Sequence, residues 1–269
     1  MGSKGDDYFT VDDSLGDEDH FNIEGGSEDE TDGDTLYVNG PATINYDPTN
    51  HETGTVEWMD GGVLHFAEIE NVIHVPCFTE HSSIKTLRGE KPASEIREGD
   101  LVLTRDDGFQ PVKWAGSRKM GPAELGSNPS LRPVLIRKGA LGDNVPDRDL
   151  IVSPQHRMLI SDAKTELWFG NEEVFVPAIH LTCLDGVEQL GAEAVTYVHF
   201  MFEHHQVVQG DGAWSESFQP GDLSLLSMDH AQRNEIVALF PELNAFSADK
   251  IYPAARPTLS AKEVTVLFG

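Results

Sequence analysis

The chain has 269 residues, enough for one large or two modest domains with a real hydrophobic core, and a formal net charge of -27. An acidic surface of that size repels phosphates and anionic headgroups, so neither nucleic acid nor a membrane is expected as a partner. No run of about 18 or more apolar residues is present, and the start, MGSKGDDYFTVDD, lacks the apolar core of a cleavable signal peptide.

The charge is unevenly spread. Residues 1–76 hold 19 Asp and Glu against the single Lys4, whereas residues 77–269 hold 27 against 18 Lys and Arg. Residues 1–34 are rich in Asp, Glu, Gly and Ser, a composition that buries too little apolar surface to offset the entropy of ordering, and they are expected to form an acidic flexible leader. Within it GGSEDETDGDTLYV, 25–38, looks like a worn copy of the Gly/Asp nonapeptides that bind calcium in stacked β-rolls. Only one degenerate copy is visible, so a solvated charge run is the favoured reading and calcium the alternative; no other cofactor and no metal site is expected.

From Thr35 the pattern turns to short alternating strands, TLYVNG, ATINYD, TVEWMDG and GVLHFAEIENVIHV, separated by Asn39-Gly40, Asp47-Pro48 and Asp60-Gly61-Gly62. Residues 35–76 thus form a β segment leading to Cys77. The rhythm continues through SIKTLRG, GDLVLTRDDG, FQPVKWAG, RPVLIRKGALG, DLIVSPQHRMLISD, EVFVPAIHL and AVTYVHFMFEHHQVVQGDG. Scattered Pro and Gly exclude long helices until the last quarter. There SMDHAQRNEIVALFPEL predicts a helix: Ser227 caps it, Ile236, Val237, Leu239 and Phe240 form an apolar stripe, and Pro241 ends it. The tail ARPTLSAKEVTVLFG is expected to be a final strand.

Three ordered motifs carry a resemblance: CFTEHSSIKTLRGEKPASEIREGDLVLTRDDGFQPVKW, then RPVLIRKGALGDNVPDRDLIVSPQHRMLI, then YVHFMFEHHQVVQGDGAWSESFQPGD. Together they resemble the bacterial Hint (Hedgehog/intein) domain over roughly residues 70–220. The resemblance implies an all-β, horseshoe-like fold with Cys77 as its nucleophile. It places the domain at 77–222, with a C-terminal extension of helix and strand at 223–269.

The chemistry can be reasoned from the residues. The Cys77 thiol can reach the Pro76 carbonyl carbon through a five-membered ring and convert the amide to a thioester. Amide resonance, with a rotation barrier of about 18–20 kcal/mol, opposes this unless the fold distorts the bond or stabilises the oxyanion. The Pro76 ring restricts approach, so a slow shift is expected. The thiol must lose a proton and the departing amine gain one, a task for an imidazole titrating near neutrality.

By resemblance, S-x-x-H from Ser153 to His156 matches the family's T-x-x-H motif, with His156 at the scissile nitrogen and Ser153 orienting the site. In YVHFMFEHH, strand alternation puts Tyr197, His199 and Met201 on one face and Val198, Phe200 and Phe202 on the other. By resemblance again, His199 falls where inteins often carry a catalytic Asp, and His205, with His204 beside it, resembles the later histidine of that motif.

GAWSESF, 212–218, departs from the splicing pattern: Ser215, Glu216 and Ser217 stand where His-Asn would be, and no His-Asn dipeptide occurs in the chain. Cleavage of the Pro76–Cys77 bond without full splicing is therefore expected, the protein's own N-terminal segment being the substrate and water, a thiol or an amine the acceptor. The alternative is a degenerate Hint fold kept as a structural or calcium-responsive module. Cys183 reads as a small buried hydrophobe. The acidic leader resembles those of proteins secreted without a cleaved signal, so an extracellular location is expected, with the cytoplasm as the alternative.

Overall fold

The computed structural model describes residues 8–11, 20–25, 35–38, 42–47, 50–58, 63–67, 71–73, 76–127, 131–191, 193–219 and 253–269. Their architecture is all-β, with four sheets and few short helices.

Two strands interrupt the stretch predicted as a flexible leader. Tyr8–Val11 pairs in parallel with Thr35–Val38, which pairs in parallel with Asn71–Ile73. His20–Glu24 pairs in parallel with Val63–Ala67, which continues antiparallel to Asn50–Trp58 and then Ala42–Asp47. YFTV and HFNIE are β-forming islands whose partners lie far along the chain, so average composition hides them. Leu36, Val56, Leu64 and Phe66 are fully buried, consistent with packing on one face of these sheets. Of the acidic stretch 25–38, only Gly25 and Thr35–Val38 are among the described residues.

From Cys77 onward two larger sheets carry the core. One runs in the order Trp114–Met120, Val195–Met201, Phe78–Thr79, Leu150–Val152, Val134–Ile136, Val187–Gln189. The other runs Gly89–Pro92, Ser83–Thr86, Leu101–Thr104, Val207–Gly210, Ala213–Glu216, Arg157–Ile160, Val174–Pro177, with Gly108–Pro111 pairing on Leu101–Thr104. Phe78, Ile84, Val152, Met158, Val198, Phe200 and Val208 belong to one buried cluster that joins the two sheets. Gly210 permits this packing, because a Cβ there would stand 2.7 Å from the Phe78 ring.

The alternation predicted for Tyr197 to Phe202 is present, and both faces are buried. Val198, Phe200 and Phe202 enter the main core, while Tyr197 joins a smaller cluster with Cys77, Met120 and Leu125. Cys77 is thereby seated in apolar surroundings.

At the C-terminus the structure corrects the sequence reading. The expected final strand is a helix, Ala261–Phe268, started by a capping box in which Ser260 and Glu263 satisfy each other's backbone N–H groups. Val264 and Leu267, one turn apart, are buried in the main core. The helix predicted at 227–241 lies outside the described residues. Among the described residues no helix is long and apolar enough to cross a membrane.

Candidate active site

Cys77 immediately precedes the short strand Phe78–Thr79, which lies between Val195–Met201 and Leu150–Val152. Those two neighbours fix what surrounds its thiol and its amide. The register Val152↔Phe78 brings Ser153 alongside Cys77, and the two residues bond reciprocally. The Cys77 N–H donates to Ser153 Oγ at 2.8 Å, and the Ser153 N–H donates to the Cys77 carbonyl at 2.9 Å. The nitrogen of the Pro76–Cys77 bond is thus held by a side-chain hydroxyl, with Pro76 itself buried.

On the other side, the register Val198↔Phe78 sets His199 against the sulfur, with Cys77 Sγ 3.4 Å from His199 Nδ1. The contact joins the thiol to a ring nitrogen, and its direction follows the tautomer of His199. His199 stacks on Trp114, centroids 5.1 Å apart and planes 13° from parallel, and also packs on Phe218 at 5.3 Å. Gly116, paired with His199 across the sheet, leaves room for this stack; a Cβ there would come within 2.4 Å of Trp114 and 3.0 Å of His199 Nε2.

His156 is one turn from Ser153, its N–H donating to the Ser153 carbonyl at 3.1 Å. Its ring meets Phe78 edge-on, centroids 4.4 Å apart, and is 1% exposed, with neither nitrogen hydrogen-bonded to a described residue. The partner of the Cys77 nitrogen is therefore Ser153, while the His156 ring packs on Phe78.

Burial pushes the Cys77 thiol far up, the charge of Glu216 adds to this, and Arg118 opposes it. Burial pulls His156 down to about 4, which Glu216 opposes and Arg157 reinforces. At neutral pH Cys77 is therefore a thiol and His156 a neutral imidazole.

His205 is not in this first group. Its Nδ1 accepts from the Ala255 N–H at 3.0 Å, so its proton is on Nε2, 3.1 Å from the Ser217 carbonyl and 3.5 Å from Glu216 Oε2. Burial lowers its pKa, against hydrogen bonding to Glu216. Glu216 is fully buried and accepts from the Arg157 backbone N–H at 2.8 Å and from its Nε at 2.6 Å. Burial alone would raise the Glu216 carboxyl, but the Arg157 guanidinium and the His205 hydrogen bond more than reverse this, to about 2.

Sequence reasoning missed the Arg157–Glu216 pair. The signal for it was one charge of each sign, in RMLI and AWSE, at places where two buried strands otherwise call for apolar side chains. Cys183 is exposed, not buried as expected: it ends the 3₁₀ helix Ala178–Cys183, and its thiol lies 3.4 Å from the His180 carbonyl.

Among known proteins, the Hint domain family model matches residues 76–222, more than half of the chain. Solved structures similar to the chain include the gp41-1 intein, at 15% identity and a TM-score of 0.33, covering 52% of this chain and 97% of that one. A bacterial intein-like domain from Clostridium thermocellum is 12% identical with a TM-score of 0.35, covering 52% and 97%. The MchDnaB-1 intein is 13% identical with a TM-score of 0.32, covering 52% and 98%. A comparison with curated proteins returns no match. With a cysteine at the head of the matched region and a family match over more than half of its length, the chain belongs to the Hint (Hedgehog/intein) domain family of self-processing proteins.

Proposed function

We propose that the protein cleaves its own Pro76–Cys77 bond through an N–S acyl shift at Cys77, without completing splicing. The observation that carries this reading is the two-sided hold on Cys77: His199 Nδ1 is 3.4 Å from the sulfur while Ser153 Oγ holds the amide nitrogen at 2.8 Å. The thiol proton passes to His199 as sulfur bonds to the Pro76 carbonyl carbon. The tetrahedral intermediate then expels the Cys77 nitrogen, which receives a proton and becomes a free amine. Ser153 keeps that nitrogen in position throughout.

His156 serves as a proton relay to the departing nitrogen. Its backbone is bonded to Ser153, which keeps it close, but its ring rests against Phe78 without a hydrogen bond to a described residue, so this role requires the ring to turn toward the Cys77 nitrogen. Water, or an external thiol or amine, then opens the thioester. Ser215, Glu216 and Ser217 stand in place of a His-Asn pair, so no cyclising side-chain amide is there, and Glu216 is engaged by Arg157, which favours cleavage over splicing.

Incubation of the full chain with dithiothreitol, followed by intact-mass measurement, tests this. Fragments ending at Pro76 and starting at Cys77 are expected, and Cys77→Ala is expected to give the full-length mass alone. Wild-type protein that remains full length would favour the second reading, a Hint fold retained as a structural module. The observation on that side is the buried, fully protonated thiol, 4% exposed.

A further inference from the structure

Residues 253–269 lie beyond the region matched by the family, yet they dock on Val174–Pro177, the strand paired with Arg157–Ile160, which follows the Ser153–His156 loop. The edge strand Val174–Pro177 takes them as an additional parallel partner: the Phe175 N–H donates to the Pro257 carbonyl and the Leu259 N–H to the Phe175 carbonyl, each at 2.8 Å. Directly after that strand, the Ala178 N–H donates to the His156 carbonyl and the Ile179 N–H to the Pro154 carbonyl, each at 2.9 Å. The loop carrying Ser153 and His156 is therefore fastened to the strand that the tail completes.

A second set of contacts reaches the same place through side chains. Arg157, next to His156, donates to Glu216, to Gln219 at 2.8 Å and to Thr258 Oγ1 of the tail at 3.1 Å, with its guanidinium 5.3 Å from the Phe175 ring centroid. The tail's Ala255 N–H fixes the tautomer of His205 at 3.0 Å. Arg256 anchors the turn by donating to Glu173 at 2.9 Å and Asp106 at 2.7 Å. Leu259, Val264 and Leu267, all in the main core, hold the segment down.

We propose that residues 253–269 are a positioning clamp for the self-processing site: docked, they close the Arg157–Glu216–His205 cluster and hold the loop that presents Ser153 and His156 to the Pro76–Cys77 bond. The inference rests on the function proposed above. In it none of the tail residues touches the reacting atoms; they act through Arg157, His205 and the Val174–Pro177 strand.

The test uses the full chain with Leu267→Glu, which detaches the helix, Ala255→Pro, which removes the N–H bonded to His205 and fixes the local φ, and Leu267→Met as the conservative control. Hydrogen exchange is followed at Phe175 and Leu259 for docking, at Ala178, Ile179, Ser153 and Cys77 for the loop, and at Thr86 and Val102 for the rest of the fold. Dithiothreitol-induced cleavage is measured on the same samples. With Leu267→Glu, exchange is expected to rise at Phe175 and Leu259 and also at Ser153 and Cys77, while Thr86 and Val102 stay protected, and cleavage is expected to slow by about tenfold or more. Leu267→Met should behave as wild type, and Ala255→Pro should slow cleavage several-fold with Phe175 still protected. Rapid exchange at Phe175 with unchanged Ser153 and Cys77 would overturn the proposal. Should Leu267→Glu also lose protection at Thr86 and Val102, Ala255→Pro decides, and a cleavage rate within twofold of wild type overturns the proposal. If wild-type protein does not cleave, the function proposed above fails, and the exchange pattern alone judges whether the tail positions the loop.

Discussion

Ser153 has only a hydroxyl with which to hold the Cys77 amide, and that limited chemistry makes its replacement informative. Ser153→Ala leaves a buried N–H without its partner, at a cost of about 1–3 kcal/mol, and cleavage should slow by about tenfold or more. Ser153→Thr keeps the hydroxyl and should retain most of the rate, as intact-mass time courses would show. Arg157 and Glu216 differ in kind. Removing one member strands a buried charge, so Arg157→Met should destabilise the fold by about 3–5 kcal/mol in urea denaturation, more than the loss of an exposed ion pair such as Arg137–Glu188. Cys77 and the Ser153–His156 motif were legible as candidates because each lies within an unbroken sequence motif. Arg157–Glu216 was not, since its members meet only when Met158 pairs with Ser215 across the sheet.

At the scale of elements, the C-terminal helix shows two signals in competition. V-T-V-L-F is rich in β-branched and large apolar residues, which argues for a strand, whereas S-A-K-E four residues earlier is a helix start. The cap prevails because Val264 and Leu267 reach the core together only at helical spacing. Ser260→Ala should therefore cost about 1 kcal/mol, read as a lower urea midpoint with an unchanged slope. In the sheet, Gly116 matters for the space that it leaves. Gly116→Ala should displace the Trp114 ring, loosen His199 from the Cys77 sulfur and reduce cleavage more than stability, a split that mass spectrometry and urea denaturation measured together would show. Most strands from Ser83 to Glu216 were legible from alternation and turn residues, while those in the acidic leader were masked by their surroundings.

For the whole molecule, stability should respond to acid through opposing groups. Burial holds His156 down to about 4 from an ordinary 6.5, so the unfolded chain takes up a proton that the folded one refuses, and stability falls as pH drops through that interval. Asp211 does the reverse. Burial raises it from 3.8 to about 6, despite the Ser83 N–H and Arg148, so between those values the folded chain binds the extra proton. Glu216, held near 2, contributes stability that is complete above its ordinary 4.5 and is lost as pH falls toward 2. Urea denaturation between pH 6.5 and 4 should accordingly show Asp211→Asn losing stability more steeply than wild type as pH drops. The acidic composition made the charge legible without revealing these shifts, because burial is a property of the packed chain.

Sequence alone determined the all-β class and singled out Cys77 and the Ser153–His156 stretch as candidates, because strand alternation, turn residues and short motifs are local patterns that survive without knowledge of the fold. Tertiary structure decided which groups actually touch: Ser153 on the Cys77 nitrogen, His199 on the sulfur, and Arg157 with both Glu216 and Thr258 of the C-terminal segment. Hydrogen bonds act over about 3 Å, and residues 76 or 122 positions apart reach that distance only through the register of the strands that carry them.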